Sequence, residues 1–179
     1  MAATSPFDQP RRLNDLLLYR LARIAGTAGS MVVRLCEGQF GVTRREWRMV
    51  VALADAGSLQ PSELAKSVQL DRARTSRAIT SLVGKNLVSR RVLSSDQRQA
   101  KLALTVAGQA LYAAMFPLVV AINQELVKEL SHGERLALDL ALQQIQRNAD
   151  QQLQSSVLPN ANRRLGRKQA LTAGLQGGG

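Results

Sequence analysis

Two closely spaced helix starts, followed by a basic hairpin, constrain the fold of this chain more than any other feature. The first start is at Gln60, because Pro61 occupies the first helical position and Glu63 stands at the spacing of a capping box. The second start is at Asp71, whose carboxylate can accept from open backbone N–H groups in the next turn. The first helix must therefore be short, and the order of these elements predicts a helix-turn-helix.

The second helix is expected to bury one side and to expose a small, cationic one. At 3.6 residues per turn, the side that faces the core contains Thr75, Ala78, Ile79 and Leu82. The candidate DNA-contacting residues on the other side and its edges are Arg72, Ala73, Arg74, Ser76, Arg77 and Thr80. Such a face fits a major groove, where arginine can donate twice to guanine and small hydroxyl residues allow close approach. The alternative is an ordinary solvated face.

A β-hairpin follows the second helix and forms the wing of a winged helix-turn-helix. Strand runs are expected at 88–92 and 101–104, with a polar turn at 94–96 between them. The candidate DNA-contacting residues of the hairpin are Arg90, Arg91, Asp96, Arg98 and Lys101. A basic hairpin can straddle phosphates and place an arginine in the minor groove. Asp96 is expected to orient Arg98 by a charge-assisted hydrogen bond; the alternative is an ordinary aspartate in a turn.

At this point the chain resembles the multiple antibiotic resistance regulator (MarR) family of bacterial transcription factors, from about Leu16 to about Leu153. The segments that carry the resemblance are 43–50, 63–65 and 76–78, with Asp96, Arg98, Leu104, Thr105 and Gly108 as the wing signature. The resemblance implies a mainly α (α+β) fold, in which a winged helix-turn-helix with a two-stranded wing joins an intertwined helical dimerisation domain. Two departures are Gln97, where a basic residue is usual, and Gln60, where Ser or Thr is usual.

Helices on both sides of this region supply a dimerisation scaffold. An apolar stripe runs along residues 17–35, a long helix bent at Pro117 is expected over 106–130, and Ser131 with Glu134 forms a capping box before a second apolar helix. The expected organisation is a flexible N-terminus (1–10), a dimerisation region (11–40 and 106–155), a DNA-binding region (41–105) and a basic, disordered tail (156–179). A symmetric dimer predicts a pseudo-palindromic operator.

The charge of the chain agrees with a polyanionic partner. The formal net charge is +11 and the sequence pI is about 11.2. A membrane surface would also attract this charge, but Arg20, Arg23 and Pro117 are expected to interrupt any membrane-spanning stretch. Residues 1–10 do not read as a secretory signal, so a cytoplasmic protein is expected.

An enzyme is not expected, and neither is a cofactor or a metal. His132 and Cys36 are the only histidine and the only cysteine, which excludes a His/Cys zinc site. A redox role for Cys36 is the lesser alternative, because the end of a helix does not favour a thiolate; a structural, inert thiol is preferred.

The resemblance also implies regulation, since many members release DNA when a small phenol or aromatic carboxylate binds. Arg20, Arg23, Thr27, Arg48 or Arg98 could bind a carboxylate, and Tyr19, Trp47 or Tyr112 could form an aromatic wall. The structural alternatives are a core position for Trp47 and solvated or ion-paired arginines. The prediction is a homodimeric repressor that an aromatic acid or phenol releases. Repression is favoured because occlusion needs no contact with polymerase. The alternative is a charge-driven nucleoid or RNA-binding protein, although aromatic residues for base stacking are only 3% of the chain.

Overall fold

The computed structural model describes residues 5–92, 100–155 and 157. A short 3-10 helix at Leu13–Asp15 precedes the first long helix. The elements are then α1 (Leu17–Gln39), α2 (Arg44–Ala56), β1 (Ser58–Leu59), α3 (Pro61–Ser67), α4 (Arg72–Gly84), β2 (Val88–Val92), β3 (Ala100–Leu104), α5 (Val106–Leu126) and α6 (His132–Ser155). This mainly helical architecture confirms the predicted winged helix-turn-helix, with α3 and α4 as its two helices. The predicted turn at 94–96 and all but Val157 of the predicted tail lie outside the described residues.

The wing belongs to a three-stranded antiparallel sheet with the order β1-β3-β2. Val88 lies opposite Leu104 and Arg90 opposite Leu102, as the predicted hairpin requires. The two-stranded prediction is therefore incomplete, because β1 adds Ser58 and Leu59 to the other edge of β3. Two residues are too few to show the alternating pattern by which a strand is recognised in a sequence.

One hydrophobic core holds the helix-turn-helix to the sheet and to α5. Buried residues of α2 lie at its centre: Trp47, Met49, Val50 and Leu53. The predicted core side of α4 is confirmed, since Thr75, Ala78, Ile79 and Leu82 are all buried. Leu64, Leu102 and Met115 close the same cluster from α3, β3 and α5. Because α4 and the wing strands β2 and β3 share this core, the outward face of α4 is fixed relative to the wing.

The turn between α3 and α4 is built from backbone hydrogen bonds. Val68 ends α3 and is buried at 3% exposure. Gln69 adopts a left-handed conformation (φ 52°), and the Leu70 N–H donates to the Ala65 carbonyl at 3.0 Å. These contacts satisfy carbonyl groups that the end of a helix leaves without a donor, and they hold the turn in one conformation.

Helix α5 is shorter than predicted. It ends at Leu126 rather than at 130, and Pro117 lies inside it, as one long helix over this segment requires. Among the described residues, α5 is the one helix long and apolar enough to cross a membrane, so the expectation that Pro117 excludes such a stretch is wrong. A proline removes one backbone hydrogen bond and need not end a helix. Length and composition alone do not place α5 in a membrane, and it packs against α1 and α2.

The chain divides into two compact units, Met1–Glu129 and Leu130–Gly179. In the first unit, α1 leaves two members of its apolar stripe exposed, Ile24 at 59% and Met31 at 41%. In the second unit, α6 has no buried residue. Its predicted capping box is present, because Glu134 accepts from the Ser131 N–H at 2.8 Å and the Glu134 N–H donates to Ser131 Oγ at 3.3 Å.

Candidate nucleic-acid interface

The start of α4 is capped as the sequence predicts. Asp71 Oδ1 accepts from the Arg74 N–H at 2.8 Å, and Asp71 Oδ2 lies 3.2 Å from Arg74 Nε. The second contact holds the Arg74 guanidinium beside the first turn of the helix. All six predicted contact positions of α4 are exposed: Arg72, Ala73, Arg74, Ser76, Arg77 and Thr80.

A cleft of about 830 Å³ lies along one edge of α4. Arg72, Ser76 and Thr80 line it from α4, and Arg90 lines it from β2. The three α4 residues follow one another at a spacing of four, which places them in a row on the helix surface. The start of α3 completes the cleft with Gln60, Pro61, Ser62 and Ala65. The surface therefore combines small polar side chains with arginines at both sides.

An ion pair between the exposed Lys85 and the buried Glu46 anchors the other end of α4. Lys85 Nζ donates to Glu46 Oε1 at 3.1 Å, to Glu46 Oε2 at 2.9 Å and to the Gly41 carbonyl at 2.8 Å. Glu46 is only 3% exposed, and its Oε2 also accepts from the Thr43 N–H at 2.6 Å. Burial raises the pKa of Glu46, but hydrogen bonds from Ser81, from Thr43 and from Lys85 outweigh burial and lower this pKa below its usual 4.5.

This pair could not be predicted from the sequence. Glu46 belongs to a recognisable capping box with Thr43, which signals a helix start and gives no sign of a distant lysine. The pair matters for the interface because it fixes the last turn of α4 to the first turn of α2.

The strands of the wing present three of the predicted cations. Arg90, Arg91 and Lys101 are all exposed, and the sheet register places Arg91 directly opposite Lys101. Asp96 and Arg98, the predicted residues at the wing tip, lie outside the described residues. The described part of the wing thus adds cations beside those of α4.

Five of the predicted effector residues line two cavities, whereas Tyr19 and Tyr112 are in the lining of neither. The first, of about 600 Å³, is lined by Arg20, Arg23 and Thr27 of α1. Its arginines have internal partners: Arg20 Nε donates to the Asn14 carbonyl, and Arg23 Nη1 donates to Asn14 Oδ1 at 2.9 Å. The Arg20 guanidinium also lies 4.9 Å from the centre of the Phe7 ring, and the Arg23 guanidinium lies 6.0 Å from that of Tyr19.

The second cavity, of about 630 Å³, contains Trp47 and Arg48; we call it the Trp47 cavity. The rest of its lining comes from α2, β1, the end of α3 and α5: Val51, Ala52, Asp55, Ala56, Leu59, Ser67, Val68, Phe116 and Val119. Trp47 is 4% exposed, so it is a core residue as well as a wall residue. Tyr112 stacks on Trp47 at 6.0 Å and on Phe116 at 5.1 Å, and so supports the aromatic wall. Arg48 Nη2 donates to the Val68 carbonyl.

Cys36 is fully buried in the core. Burial is the main cause that raises the pKa of its thiol, and a raised pKa disfavours the reactive thiolate. These properties favour a structural role for Cys36 over a redox role.

The chain resembles known proteins in its winged helix-turn-helix region and beyond it. The MarR family model matches residues 42–100. The chain is 35% identical over 74 residues to the HTH-type transcriptional regulator FarR of Neisseria gonorrhoeae, a match that covers 41% of this chain and 51% of FarR. The chain thus spans about half the length of FarR. It is 29% identical over 134 residues to the HTH-type transcriptional repressor NicR of Pseudomonas putida, which covers 75% of this chain and 82% of NicR.

Solved structures share the fold over most of the chain. A MarR family transcriptional regulator from Silicibacter pomeroyi has a TM-score of 0.69 at 26% identity, covering 82% of this chain and 98% of that protein. Bordetella bronchiseptica BpsR, whose DNA binding is regulated by 6-hydroxynicotinic acid, has a TM-score of 0.67 at 22% identity over 76% of this chain and 97% of its own. S. aureus MepR, solved as a DNA complex, has a TM-score of 0.67 at 23% identity, and the match covers 74% of this chain and 98% of MepR. The MarR family model thus matches the winged helix-turn-helix region of this chain, and the Silicibacter pomeroyi regulator and NicR are similar to the chain over most of its length.

Proposed function

We propose that this protein is a homodimeric transcriptional repressor that binds a pseudo-palindromic operator in double-stranded DNA. The observation that carries the proposal is the exposed face of α4, where Arg72, Ser76 and Thr80 line a cleft with Arg90. Small hydroxyl side chains let a helix enter a major groove, and arginines at its edges can donate to guanine or to phosphate. The formal net charge of +11 adds attraction to any nucleic acid.

Exposed apolar side chains support a dimer. In the first unit, Val106 is 84% exposed and Leu126 is 49% exposed. In the second unit, Leu140 and Leu153 of α6 are 63% and 80% exposed. Helices that leave this much apolar surface open in one chain commonly bury it against a partner. Two copies would present two α4 helices, which suits an operator with two half-sites.

For the effector, we assign a small aromatic acid or phenol to the Trp47 cavity. This cavity combines an apolar and aromatic wall with one cation, Arg48. The other cavity is also lined by arginines, Arg20 and Arg23, but none of the described residues that line it is aromatic. BpsR, which has the same fold, responds to 6-hydroxynicotinic acid, a compound of the proposed class.

The polar groups of the Trp47 cavity also limit which aromatic acids can bind there. Arg48 and Asp55 are seven residues apart on α2, which corresponds to about 10 Å along the helix axis. A carboxylate can approach Arg48 while a neutral or hydroxylated end approaches Asp55. A second carboxylate at that end would meet a like charge. We therefore expect 4-hydroxybenzoate to act more strongly than terephthalate.

DNA selection with the purified full chain tests the first half of the proposal. We expect enrichment of a pseudo-palindrome from random double-stranded DNA at about physiological salt. Arg77→Ala should reduce discrimination between this site and random DNA by about 1–3 kcal/mol while it leaves non-specific binding in place. Arg45→Ala removes the same charge from α2 and is the matched control. Equal weakening on every sequence would instead support a charge-driven nucleoid or RNA-binding protein.

Fluorescence tests the proposed effector site directly, because Trp47 is the only tryptophan of the chain. An aromatic acid that enters the Trp47 cavity should change the Trp47 emission and should weaken operator binding over the same concentration range. Arg23→Ala should leave that response unchanged. If Arg23→Ala abolishes the response and Arg48→Ala does not, the effector binds in the other cavity.

A further inference from the structure

The Trp47 cavity joins three parts of the molecule. Trp47 and Arg48 come from α2, Ser67 and Val68 come from the end of α3, and Phe116 comes from α5. Val68 is also the last residue before the turn that leads into α4. A molecule in this cavity would therefore contact the helix-turn-helix at its turn, and none of the described residues that line the cavity comes from α4.

One hydrogen bond connects the cavity to that turn. The Arg48 guanidinium donates through Nη2 to the Val68 carbonyl. This carbonyl precedes Gln69, which is held in a left-handed conformation, and Asp71, which caps α4. Val68 is 3% exposed, and a backbone carbonyl that loses its donor is unfavourable until another donor replaces it. Arg48 thus holds the turn in the conformation that positions the first residues of α4.

A bound carboxylate would compete for this guanidinium. Arginine presents its N–H donors in a planar fork that matches the two oxygens of a carboxylate. Hydrogen bonds between two charged partners are shorter and stronger than those to a neutral carbonyl. Arg48 is the one arginine or lysine among the described residues that line the cavity. An aromatic acid in the cavity would therefore draw Arg48 away from Val68.

We propose that Arg48 couples the Trp47 cavity to the DNA-reading helix, because its guanidinium binds either the Val68 carbonyl or the carboxylate of an aromatic acid. This inference rests on the proposed function and names its regulatory step. In the free protein, Arg48 fixes the α3–α4 turn and α4 is ordered for DNA. With acid bound, the Val68 carbonyl must find another donor, the turn changes, and α4 loses its alignment.

The test measures the ratio of operator affinities without and with acid for each variant of the full chain. The DNA probe is the sequence that selection enriches, and the ligand probe is the compound among benzoate, 4-hydroxybenzoate and 6-hydroxynicotinate that most changes Trp47 emission. We expect a ratio of at least about tenfold for the wild type, which equals about 1.4 kcal/mol. Arg48→Ala and the milder Arg48→Gln should bind DNA about tenfold more weakly without acid and should have ratios close to one. Arg45→Ala should keep the wild-type ratio.

A second readout follows the turn itself. Acid should accelerate amide hydrogen exchange at Gln69 and Leu70 in the wild type, whereas Arg48→Gln should show fast exchange at both amides without acid. If Arg48 were merely structural, its variants would lose stability or affinity but would still respond to acid by the wild-type factor, and that result overturns the inference alone. A wild type that shows neither a Trp47 response nor DNA release with any of the three acids overturns the effector half of the proposed function, and the inference with it.

Discussion

Replacing Lys85 with methionine removes the charge that faces Glu46 while it keeps a side chain of similar length. The carboxylate of Glu46, 3% exposed, loses contacts of 2.9 and 3.1 Å, and the Gly41 carbonyl loses a donor at 2.8 Å. Leaving one charge of a fully buried pair unpaired typically costs about 3–5 kcal/mol. The Lys85 side chain is 37% exposed, so water can reach part of the site. We therefore expect Lys85→Met to lower the free energy of unfolding by about 2–3 kcal/mol.

Urea unfolding followed by Trp47 fluorescence measures this loss at a fixed protein concentration. The double variant Glu46→Gln, Lys85→Met should recover part of it, because no unpaired charge is then buried. An unfolding free energy for Lys85→Met within about 0.5 kcal/mol of the wild type would refute the reasoning.

The Glu46 carboxylate gives the free energy of unfolding a pH dependence of defined sign. The pKa of Glu46 is lowered in the folded state, so the unfolded state binds the proton first as pH falls. The stabilisation by this carboxylate is therefore fully present above the usual value of 4.5 and is lost as pH falls through the lower, folded pKa. Without Lys85, one of the hydrogen bonds that lower the pKa of Glu46 is lost, so this pKa rises in the folded state. The free energy of unfolding of Lys85→Met should therefore fall less than that of the wild type as pH is lowered through this acid range.

Three further outcomes are expected. Gly108→Ala should destabilise the protein by about 1–3 kcal/mol in thermal melts, because a Cβ there would lie 2.0 Å from the Leu87 carbonyl oxygen, whereas Gly133→Ala, in open space, should not destabilise it. Asp71→Ala should lower the unfolding free energy by about 1 kcal/mol and weaken operator preference in selection, because it removes both the cap of α4 and the partner of Arg74; unchanged preference would count against a reading role for Arg74. Arg91→Ala should reduce the slope of log affinity against log salt by about 1, and a slope equal to that of the wild type would exclude a phosphate contact at this position.

Local signals in the sequence predicted the parts of the fold that depend on neighbouring residues. Caps act within one helical turn, so the starts at Asp71 and Ser131 could be recognised from a few residues each. The buried side of α4 follows a period of 3.6 residues and was predicted completely. The family resemblance implied the winged helix-turn-helix with helices on both sides of it, but not the short strand β1.

Features that depend on distant partners could not be predicted. Lys85 and Glu46 are 39 residues apart, and nothing in their local sequence marks either as half of a pair. The effector candidates were chosen by residue type, which cannot show that Arg20 and Trp47 line different cavities. Nor does residue type show that Asn14 bonds to both arginines of the first cavity.

The register of the wing strands has a practical consequence. Arg91 and Lys101 stand directly opposite each other, and like charges at such a position repel. A divalent buffer anion can relieve that repulsion by residing between them, as a phosphate of DNA would. Sulfate and phosphate buffers should therefore act as competitors of DNA at this hairpin, beyond their effect on ionic strength. Affinities measured in chloride and in phosphate at equal ionic strength should differ, and Arg91→Ala should remove most of the difference.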